Sequence, residues 1–300
     1  MVLVSLSRLL IVGVLWAIAA LGLSAQTPAG CKGKVYRSVC LPQGQISFAD
    51  EVVSFVAGAD PATARNAVDP KSALGAPNIV ALSLGCDGVL TLRFVNNALV
   101  DVKGPDLYVY ETGRSVEPTA LAISADNQSW IDIGQIEGST RAVDIAAHVG
   151  PEQTFGFVRL TNRSTVCKEP TAGADIDAVA AIGSATRFSL SGAVLFDTGK
   201  AVLKRDAERA LDDVEKMLLT AGASARIIVE GHTDDIGSEP DNQRLSEARA
   251  RAIWAYLSGR RGVTQKATVA GYGESRPRRS NDSEEGRAQN RRVDILILPE

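Results

Sequence analysis

The sequence predicts two domains of different fold class, an N-terminal all-β sandwich and a C-terminal α/β two-layer sandwich. The chain has 300 residues, which is long enough to bury two separate cores. Between about residues 46 and 184, short runs of alternating or β-branched residues recur between turn residues. From residue 187 onwards strands alternate with helices in the order β-α-β-α-β, a polar loop, then β.

The first 25 residues have the layout of a secretory signal peptide. Arg8 is followed by an uncharged apolar run from Leu9 to Leu23 and then by the small residues Ser24 and Ala25. We therefore expect export, with cleavage after Ala25. An uncleaved membrane anchor is the alternative, although the apolar run is shorter than the roughly 20 residues that span a bilayer.

Export gives the cysteines a structural meaning. The chain has four, Cys31, Cys40, Cys86 and Cys167, and an even number in an oxidising compartment predicts disulfides. The short separation favours Cys31–Cys40 within an N-terminal segment at residues 26–45, which leaves Cys86–Cys167. No CxxC motif supports a redox or zinc site, and buried free thiols are the alternative.

The predicted sandwich occupies residues 46–184, and its strand-like runs are the evidence for it. Asp126 and Asn127 tolerate left-handed backbone and predict a hairpin turn between two of these runs. About eight or nine strands at this spacing are typical of an antiparallel β-sandwich. The clearest runs are Val89–Phe94, Asp106–Thr112, Leu121–Ser124, Trp130–Gly134 and Phe155–Asn162.

The α/β domain is predicted at residues 187–300, after a boundary of small residues at Ala181–Phe188. Helical spacing of apolar residues covers 200–222 and ends at a glycine. A second helix is expected to begin near Asn242, which can cap its first turn. One apolar stripe runs along this helix, made of Leu245, Ala248, Ala252, Ile253, Tyr256 and Leu257.

Several function classes lack their usual signatures. The net charge of −3 disfavours nucleic acid as a partner, because phosphate binding needs a basic surface. No GxSxG or SxxK motif occurs, and neither His148 nor His232 has a nearby cysteine for zinc. With Asp234 as position 1 of a loop, position 3 is Ile236, which offers no oxygen ligand and excludes an EF-hand loop. No feature selects a glycosidase carboxylate pair. We therefore expect no enzyme.

The segment 231–257 contains an acid and an arginine that suit a charged ligand. Arg249 lies four residues after Leu245 and four before Ile253, so it borders the buried stripe and needs a carboxylate. Asp234 follows the strand-like run "RIIVE" directly. Together they can hold a zwitterion, with its carboxylate on Arg249 and its ammonium on Asp234. A purely structural Asp–Arg pair is the alternative on spacing alone.

Three separated motifs, "VLFDTGKAVLK", "GHTDDIGSEPDNQRLSEARARAIWAYL" and "GYGESRPRRSNDSEEGRAQNRRVDI", resemble the OmpA-like C-terminal domain over about Phe188 to Leu298. The resemblance implies a β/α sandwich that binds peptidoglycan at the meso-diaminopimelate residue of the stem peptide without cleaving it. It also implies a periplasmic location at the cell wall and outer membrane of a Gram-negative envelope. The ligand-binding residues that it implies are Asp234, Arg249, Asn242, Arg291, Asp197 and Thr198.

The N-terminal half resembles galactose-binding-like or discoidin-like β-sandwiches more loosely. The phrases "ALGAPN", "VALSLGCDGVLTLRF", "GPDLYVYE", "SADNQSWIDIG" and "GADIDAVAAI" carry this resemblance. Such domains often bind glycans or act as spacers, and some hold a structural calcium ion. Calcium prefers oxygen ligands, and the candidates are Asp101, Asp106, Asp175 and Asp177. Turn formation and strand capping are the alternative roles of these four residues.

These observations predict a non-enzymatic envelope protein. Its C-terminal domain is expected to bind peptidoglycan and to tether or position the sandwich at the cell wall. The alternative is an envelope enzyme or glycan-binding protein whose activity resides in the sandwich, and another envelope protein is a further partner to consider. No cofactor is expected apart from the structural calcium considered above.

Overall fold

The computed structural model describes residues 31–58, 68–113, 117–137, 141–164 and 172–298. The predicted signal peptide and Cys167 lie outside these residues. None of the helices in the described ranges is both long and apolar enough to cross a membrane.

Strands dominate the chain up to residue 181, interrupted by two short 3₁₀ turns at Gly44–Ser47 and Pro70–Ala73. In chain order these strands are β1 (Lys34–Tyr36), β2 (Val39–Leu41), β3 (Glu51–Val56), β4 (Leu82–Ser83), β5 (Val89–Arg93), β6 (Asn97–Leu99), β7 (Leu107–Glu111), β8 (Pro118–Ser124), β9 (Ile131–Glu137), β10 (Arg141–Val143), β11 (Phe157–Asn162) and β12 (Asp175–Ala181).

Two antiparallel sheets form a sandwich in this half, with strand orders β10-β7-β12-β4 and β3-β5-β11-β8-β9. Alternate side chains of a strand point to one face of its sheet, so each sheet directs an apolar row inward. The two rows meet in one core that includes Leu92, Val109, Leu121, Leu160 and Val179. This is the architecture of a β-sandwich.

A disulfide-closed hairpin precedes the sandwich. β1 and β2 pair through a turn at Arg37 and Ser38, whose φ angles of 43° and 72° are both left-handed, as in a type I′ turn. The predicted pairing of Cys31 with Cys40 is confirmed. Cys86 is also disulfide-bonded; its predicted partner lies outside the described residues.

The C-terminal part alternates strands and helices as predicted, with two additional short helices, one directly after its first strand in a run predicted as strand and one inside the predicted polar loop. Its elements are β13 (Ser184–Ser191), α1 (Gly192–Leu195), α2 (Ala207–Thr220), β14 (Arg226–Gly231), α3 (Glu239–Ser258), β15 (Lys266–Gly271), α4 (Glu284–Asn290) and β16 (Arg292–Ile297). The sheet order is β15-β14-β16-β13-β6, and only β14–β15 is parallel among these pairs. α2 and α3 cover one face of this sheet through a shared apolar core.

Both helix starts differ from the sequence prediction. α2 begins at Ala207 rather than near residue 200, and Val202, predicted as apolar helix face, is 76% exposed. α3 begins at Glu239, because the Ser238 hydroxyl accepts a hydrogen bond from the Asp241 amide and a proline fits the first turn. Asn242 therefore lies inside the helix and does not cap it.

One strand of the C-terminal sheet comes from the N-terminal half of the chain. β6 pairs with the first residues of β13, so it forms the outer edge of that sheet. The small-residue run predicted as a boundary, residues 181–188, contains the beginning of β13. A small core of Ala98, Ala185, Ile228 and Leu296 joins the two halves at this edge.

The sandwich also covers the sheet face that α2 and α3 leave uncovered. Thr154 donates a hydrogen bond to the Glu230 carboxylate at 3.3 Å across this contact. Arg93 donates to the backbone carbonyl of Arg278 at 2.9 Å. Charged side chains of β14 and β16 are consequently buried, among them Asp294 at 2% exposure.

Asp106 makes the stability of the sandwich depend on pH. It is fully buried and accepts backbone hydrogen bonds from Val102 and Ile145 at 2.7 and 2.8 Å. Burial raises the pKa of this carboxyl to about 6 from 3.8, with further increases from Asp101 and Asp144. A raised folded-state pKa contributes stability that is fully present below about pH 4 and is lost as the pH rises through about 6.

We expect wild type to gain up to about 3 kcal/mol of unfolding free energy relative to Asp106→Asn when the pH falls from 8 to 4. The asparagine does not titrate, so the difference between the two proteins isolates the carboxyl. Urea unfolding with a chelator present measures it at each pH. Parallel pH profiles for the two proteins would contradict this account of Asp106.

Candidate functional site

A pocket of about 430 Å³ lies beyond the C-terminal end of β14, between α3 and the segment that follows α1. Five of the six predicted ligand-binding residues line it: Thr198, Asp234, Asn242, Arg249 and Arg291. Its volume is in the range of about 300–1,000 Å³ that is common for small-molecule sites.

Backbone hydrogen bonds bring Asp234 into the pocket. After β14, the His232 amide donates to the Arg292 carbonyl at 2.9 Å and the Thr233 amide to the Gly273 carbonyl at 2.8 Å. The next residue, Asp234, is 6% exposed. Its Oδ2 accepts a hydrogen bond from Arg291 Nη1 at 2.6 Å.

Arg249 lies on the buried face of α3 and is 5% exposed. Its Nε donates to the Lys200 carbonyl at 3.0 Å, and its guanidinium carbon lies 5.3 Å from the centre of the Phe196 ring. Among the described residues, no carboxylate lies within 4.0 Å of this guanidinium. Burial lowers the pKa of Arg249, while the more distant Asp234 raises it. The site therefore holds a buried guanidinium that forms no ion pair with a carboxylate of the described residues.

Arg291 takes the place beside Asp234 that the sequence suggested for Arg249. It bridges Asp234 at 2.6 Å and Glu284 at 2.5 Å. These two carboxylates raise the pKa of Arg291, and the hydrogen bond that Arg291 donates to Asp234 is the largest cause. Sequence reasoning missed Glu284, since it stands at the start of α4 in a segment predicted to be a loop.

Asp197 contributes to the pocket through its backbone rather than its side chain. Its carboxylate is 58% exposed and faces Lys200 at 3.4 Å and Lys204 at 3.8 Å. Its carbonyl accepts a long hydrogen bond from Arg249 Nη2 at 3.5 Å. Thr198 lines the pocket, whereas the carboxylate of Asp197 pairs with the two lysines.

Asn242 holds two loops of the pocket together. Its amide nitrogen donates to the Asp234 carbonyl at 3.2 Å and to the Glu274 carboxylate at 2.5 Å. It is 4% exposed and lies one turn of α3 before Ser246. The amide therefore fixes the loop that carries Asp234 against the loop that follows β15.

A close backbone contact sets the distance between α3 and the sheet. A Cβ added to Gly231 would lie 2.0 Å from the Ser246 carbonyl oxygen. We expect Gly231→Ala to push α3 outward, to lower the unfolding free energy by about 1–3 kcal/mol and to weaken ligand binding. Chemical unfolding measures the change in stability.

Gly259→Ala is the matched control for this prediction. Gly259 ends α3 with a φ of −79°, and an added Cβ would make only ordinary contacts from 3.4 Å. We expect this variant to keep the stability of the wild type. Equal stability of Gly231→Ala and Gly259→Ala would show that the close contact does not matter.

The four calcium candidates lie outside this pocket: Asp101 and Asp106 lie together with Asp144, whereas Asp175 and Asp177 have other partners. Carboxylate oxygens of Asp101, Asp106 and Asp144 lie within 4.8 Å of one another, but both oxygens of Asp106 already accept backbone hydrogen bonds. Asp175 accepts a hydrogen bond from the Ser83 hydroxyl, and Asp177 pairs with Arg37 at 2.5 Å.

Comparisons with known proteins bear on the C-terminal part. The model of the OmpA family matches residues 195–291. Outer membrane porin F of Pseudomonas aeruginosa is 37% identical over 139 residues, which are 45% of this chain and 38% of that protein. The peptidoglycan-associated lipoprotein of the same organism is 34% identical over 130 residues, 42% of this chain and 76% of the relative.

A solved structure, the cell wall anchor of the T6SS from Pseudomonas aeruginosa, is 28% identical, with a TM-score of 0.35, over 39% of this chain and 82% of that one. The chain spans less than two thirds of the length of porin F. The resemblance of the N-terminal half to galactose-binding-like domains stays a prediction. Through the domain that contains this pocket, at residues 195–291, the chain belongs to the OmpA family.

Proposed function

We propose that this chain is a non-enzymatic envelope protein that binds peptidoglycan at meso-diaminopimelate and positions its sandwich at the cell wall. The observation that carries the proposal is Arg249, a buried guanidinium with a pocket beside it and no described carboxylate within 4.0 Å. Removing a charge from water is costly unless a partner compensates it. A carboxylate of the ligand supplies that partner.

The balance of charge in the pocket favours a zwitterion over an ion of one sign. Two arginines, Arg249 and Arg291, line it together with two carboxylates, Asp234 and Glu284. A ligand carboxylate pairs with Arg249, and a ligand ammonium lies against the two acids that Arg291 now bridges. The amine and carboxyl groups at one end of meso-diaminopimelate meet both requirements.

Apolar side chains complete the pocket. Phe196, Ile236 and Leu245 line its wall. Ile236 is 64% exposed, so a ligand can cover an apolar side chain that the fold leaves in water. Such a wall suits the methylene chain of diaminopimelate, while Thr198 and Asn242 offer polar contacts.

The comparisons support this proposal through the name of one relative and through the share of that relative's length that the chain matches. A relative called peptidoglycan-associated lipoprotein is covered over 76% of its length. The proposal therefore places this chain in the periplasm of a Gram-negative envelope, at the cell wall and outer membrane. The sandwich would be carried there to meet glycan or another envelope protein.

Co-sedimentation of the purified chain with peptidoglycan sacculi tests the proposal. We expect the chain to pellet with sacculi and to be released by soluble meso-diaminopimelate. The supernatant should contain no peptidoglycan fragments after prolonged incubation, because binding without cleavage is proposed. Failure to pellet would refute the binding role, and catalytic release of fragments would establish the alternative of an envelope enzyme.

A further inference from the structure

A second, much smaller cavity lies between the sandwich and the C-terminal sheet. Its volume is about 20 Å³, room for about one water-sized particle. It lies on the sheet face opposite α2 and α3, away from the peptidoglycan pocket. Charged and titratable side chains dominate its lining: Arg93, Arg187, Glu230, His232, Arg276, Arg292 and Asp294.

Positive charge exceeds negative charge around this cavity. Four of the lining side chains are arginines and two are carboxylates. His232 adds no charge, because burial and the neighbouring Arg292 hold its pKa well below 6.5. Widening the count brings in Arg278 and Arg279 against Glu51 and Asp126, which leaves the excess positive.

The two carboxylates are already engaged. Glu230 accepts hydrogen bonds from Arg276 and Thr154, both at 3.3 Å. Asp294 accepts from Arg292 Nε at 3.0 Å and from the Ser189 hydroxyl at 2.5 Å. Among the described residues, Arg187 has no carboxylate within 4.0 Å, and Arg93 has only Glu51, at 3.8 Å, which also pairs with Arg279.

Three buried side chains of the described residues have donor nitrogens without an acceptor, and the neutral His232 ring contributes one donor nitrogen and one acceptor nitrogen. Within the described ranges, Nε of Arg93, Nε of Arg187 and both ring nitrogens of His232 have no hydrogen-bond partner. Arg93 and His232 are 5% and 2% exposed. Arg187 keeps part of its side chain accessible, but its Nε is buried and its Nη1 donates to the Phe94 carbonyl at 3.0 Å.

A metal ion is the obvious rival occupant. Ligand atoms of Glu230, His232 and Asp294 lie within 4.8 Å of one another, which is close enough for one ion to bind all three. A cation there would add positive charge to a cluster that already has an excess. It would also have to displace Arg276 and Arg292 from their carboxylates.

We propose that this cavity binds a monatomic anion of chloride size, held by Arg93, Arg187 and His232, and that the anion fastens the sandwich to the C-terminal sheet. A water molecule could accept the same hydrogen bonds but would leave the buried charge uncompensated. Room for about one water-sized particle favours a single small ion over a larger polyatomic anion such as sulfate. This inference is independent of the proposed peptidoglycan binding.

Thermal unfolding of the full chain tests the anion. Chloride is titrated at constant ionic strength, with gluconate, which is too large for the cavity, as the replacement anion. We expect the unfolding midpoint to rise by about 3 °C and then to level off as chloride saturates the site. A midpoint that is the same in chloride and gluconate would overturn the proposal, and a shift caused by a chelator would favour a metal ion.

Two further measurements keep the outcome decisive. Crystals grown in bromide should show an anomalous scattering peak between Arg187 and His232, and the absence of that peak would also overturn the proposal. Arg187→Met should lose the chloride dependence, whereas Arg251→Met, on the exposed face of α3, should keep it. If Arg187→Met does not fold, the bromide experiment on wild type decides.

Discussion

Replacing Arg249 by leucine is expected to lower the affinity of the chain for peptidoglycan at least about 100-fold, or about 2.7 kcal/mol. The substitution leaves the ligand carboxylate without its cationic partner inside the pocket. Its effect on folding should be small or even favourable, because it removes a buried cation that has no direct carboxylate partner among the described residues. A binding isotherm with sacculi measures the affinity, and urea unfolding measures the stability.

Arg251→Leu is the matched control, since Arg251 lies on the same helix two residues away. It is exposed and pairs with Glu247 at 2.5 Å across one turn, an interaction worth about 0.3–0.5 kcal/mol. We expect its affinity to stay within about twofold of the wild type. If folded Arg249→Leu binds like Arg251→Leu, Arg249 is not the ligand contact.

Replacing Asp294 by leucine is expected to lower the free energy of unfolding by about 3–5 kcal/mol. Asp294 is 2% exposed and lies against Arg292, His232 and Arg278. Although burial opposes ionisation, Arg292 and its neighbours hold the pKa of this carboxyl well below 3.8. Its removal leaves the arginines between the two halves of the chain without their main counter-charge.

The pH dependence of the same variant gives a second readout. A depressed folded-state pKa contributes stability above the ordinary pKa and loses it as the pH falls. The difference between wild type and Asp294→Leu should therefore shrink below about pH 4. Asp213→Leu, at a position 83% exposed on α2, is the control and should cost under about 0.5 kcal/mol. A comparable loss in both variants would contradict the role of Asp294.

Local patterns in the sequence were enough to locate the centre of the pocket. A strand followed by "HTD" places Asp234 at a sheet edge, and helical spacing places Arg249 near the apolar face of the next helix. The same patterns could not show that Arg291 occupies the position beside Asp234. That contact joins residues 57 apart in the chain, and nothing local encodes it.

The contact between the two halves of the chain could not be predicted from the sequence for a different reason. In "RRVDILI" the charged Arg292 and Asp294 alternate with Val293 and Ile295, a pattern typical of a strand with one face in water. In the folded chain the sandwich covers that face. β6, at three residues, is too short to show a periodicity, so its place in the C-terminal sheet could not be predicted.

The most direct test of the account compares two kinds of sacculi, one with meso-diaminopimelate in the stem peptide and one with lysine at the same position. Lysine keeps the ammonium but lacks the second carboxylate, so it leaves Arg249 unpaired. We predict saturable pelleting of wild type with the first kind and loss of pelleting with the second. Equal pelleting with both would contradict recognition of the zwitterion by Arg249 and Asp234.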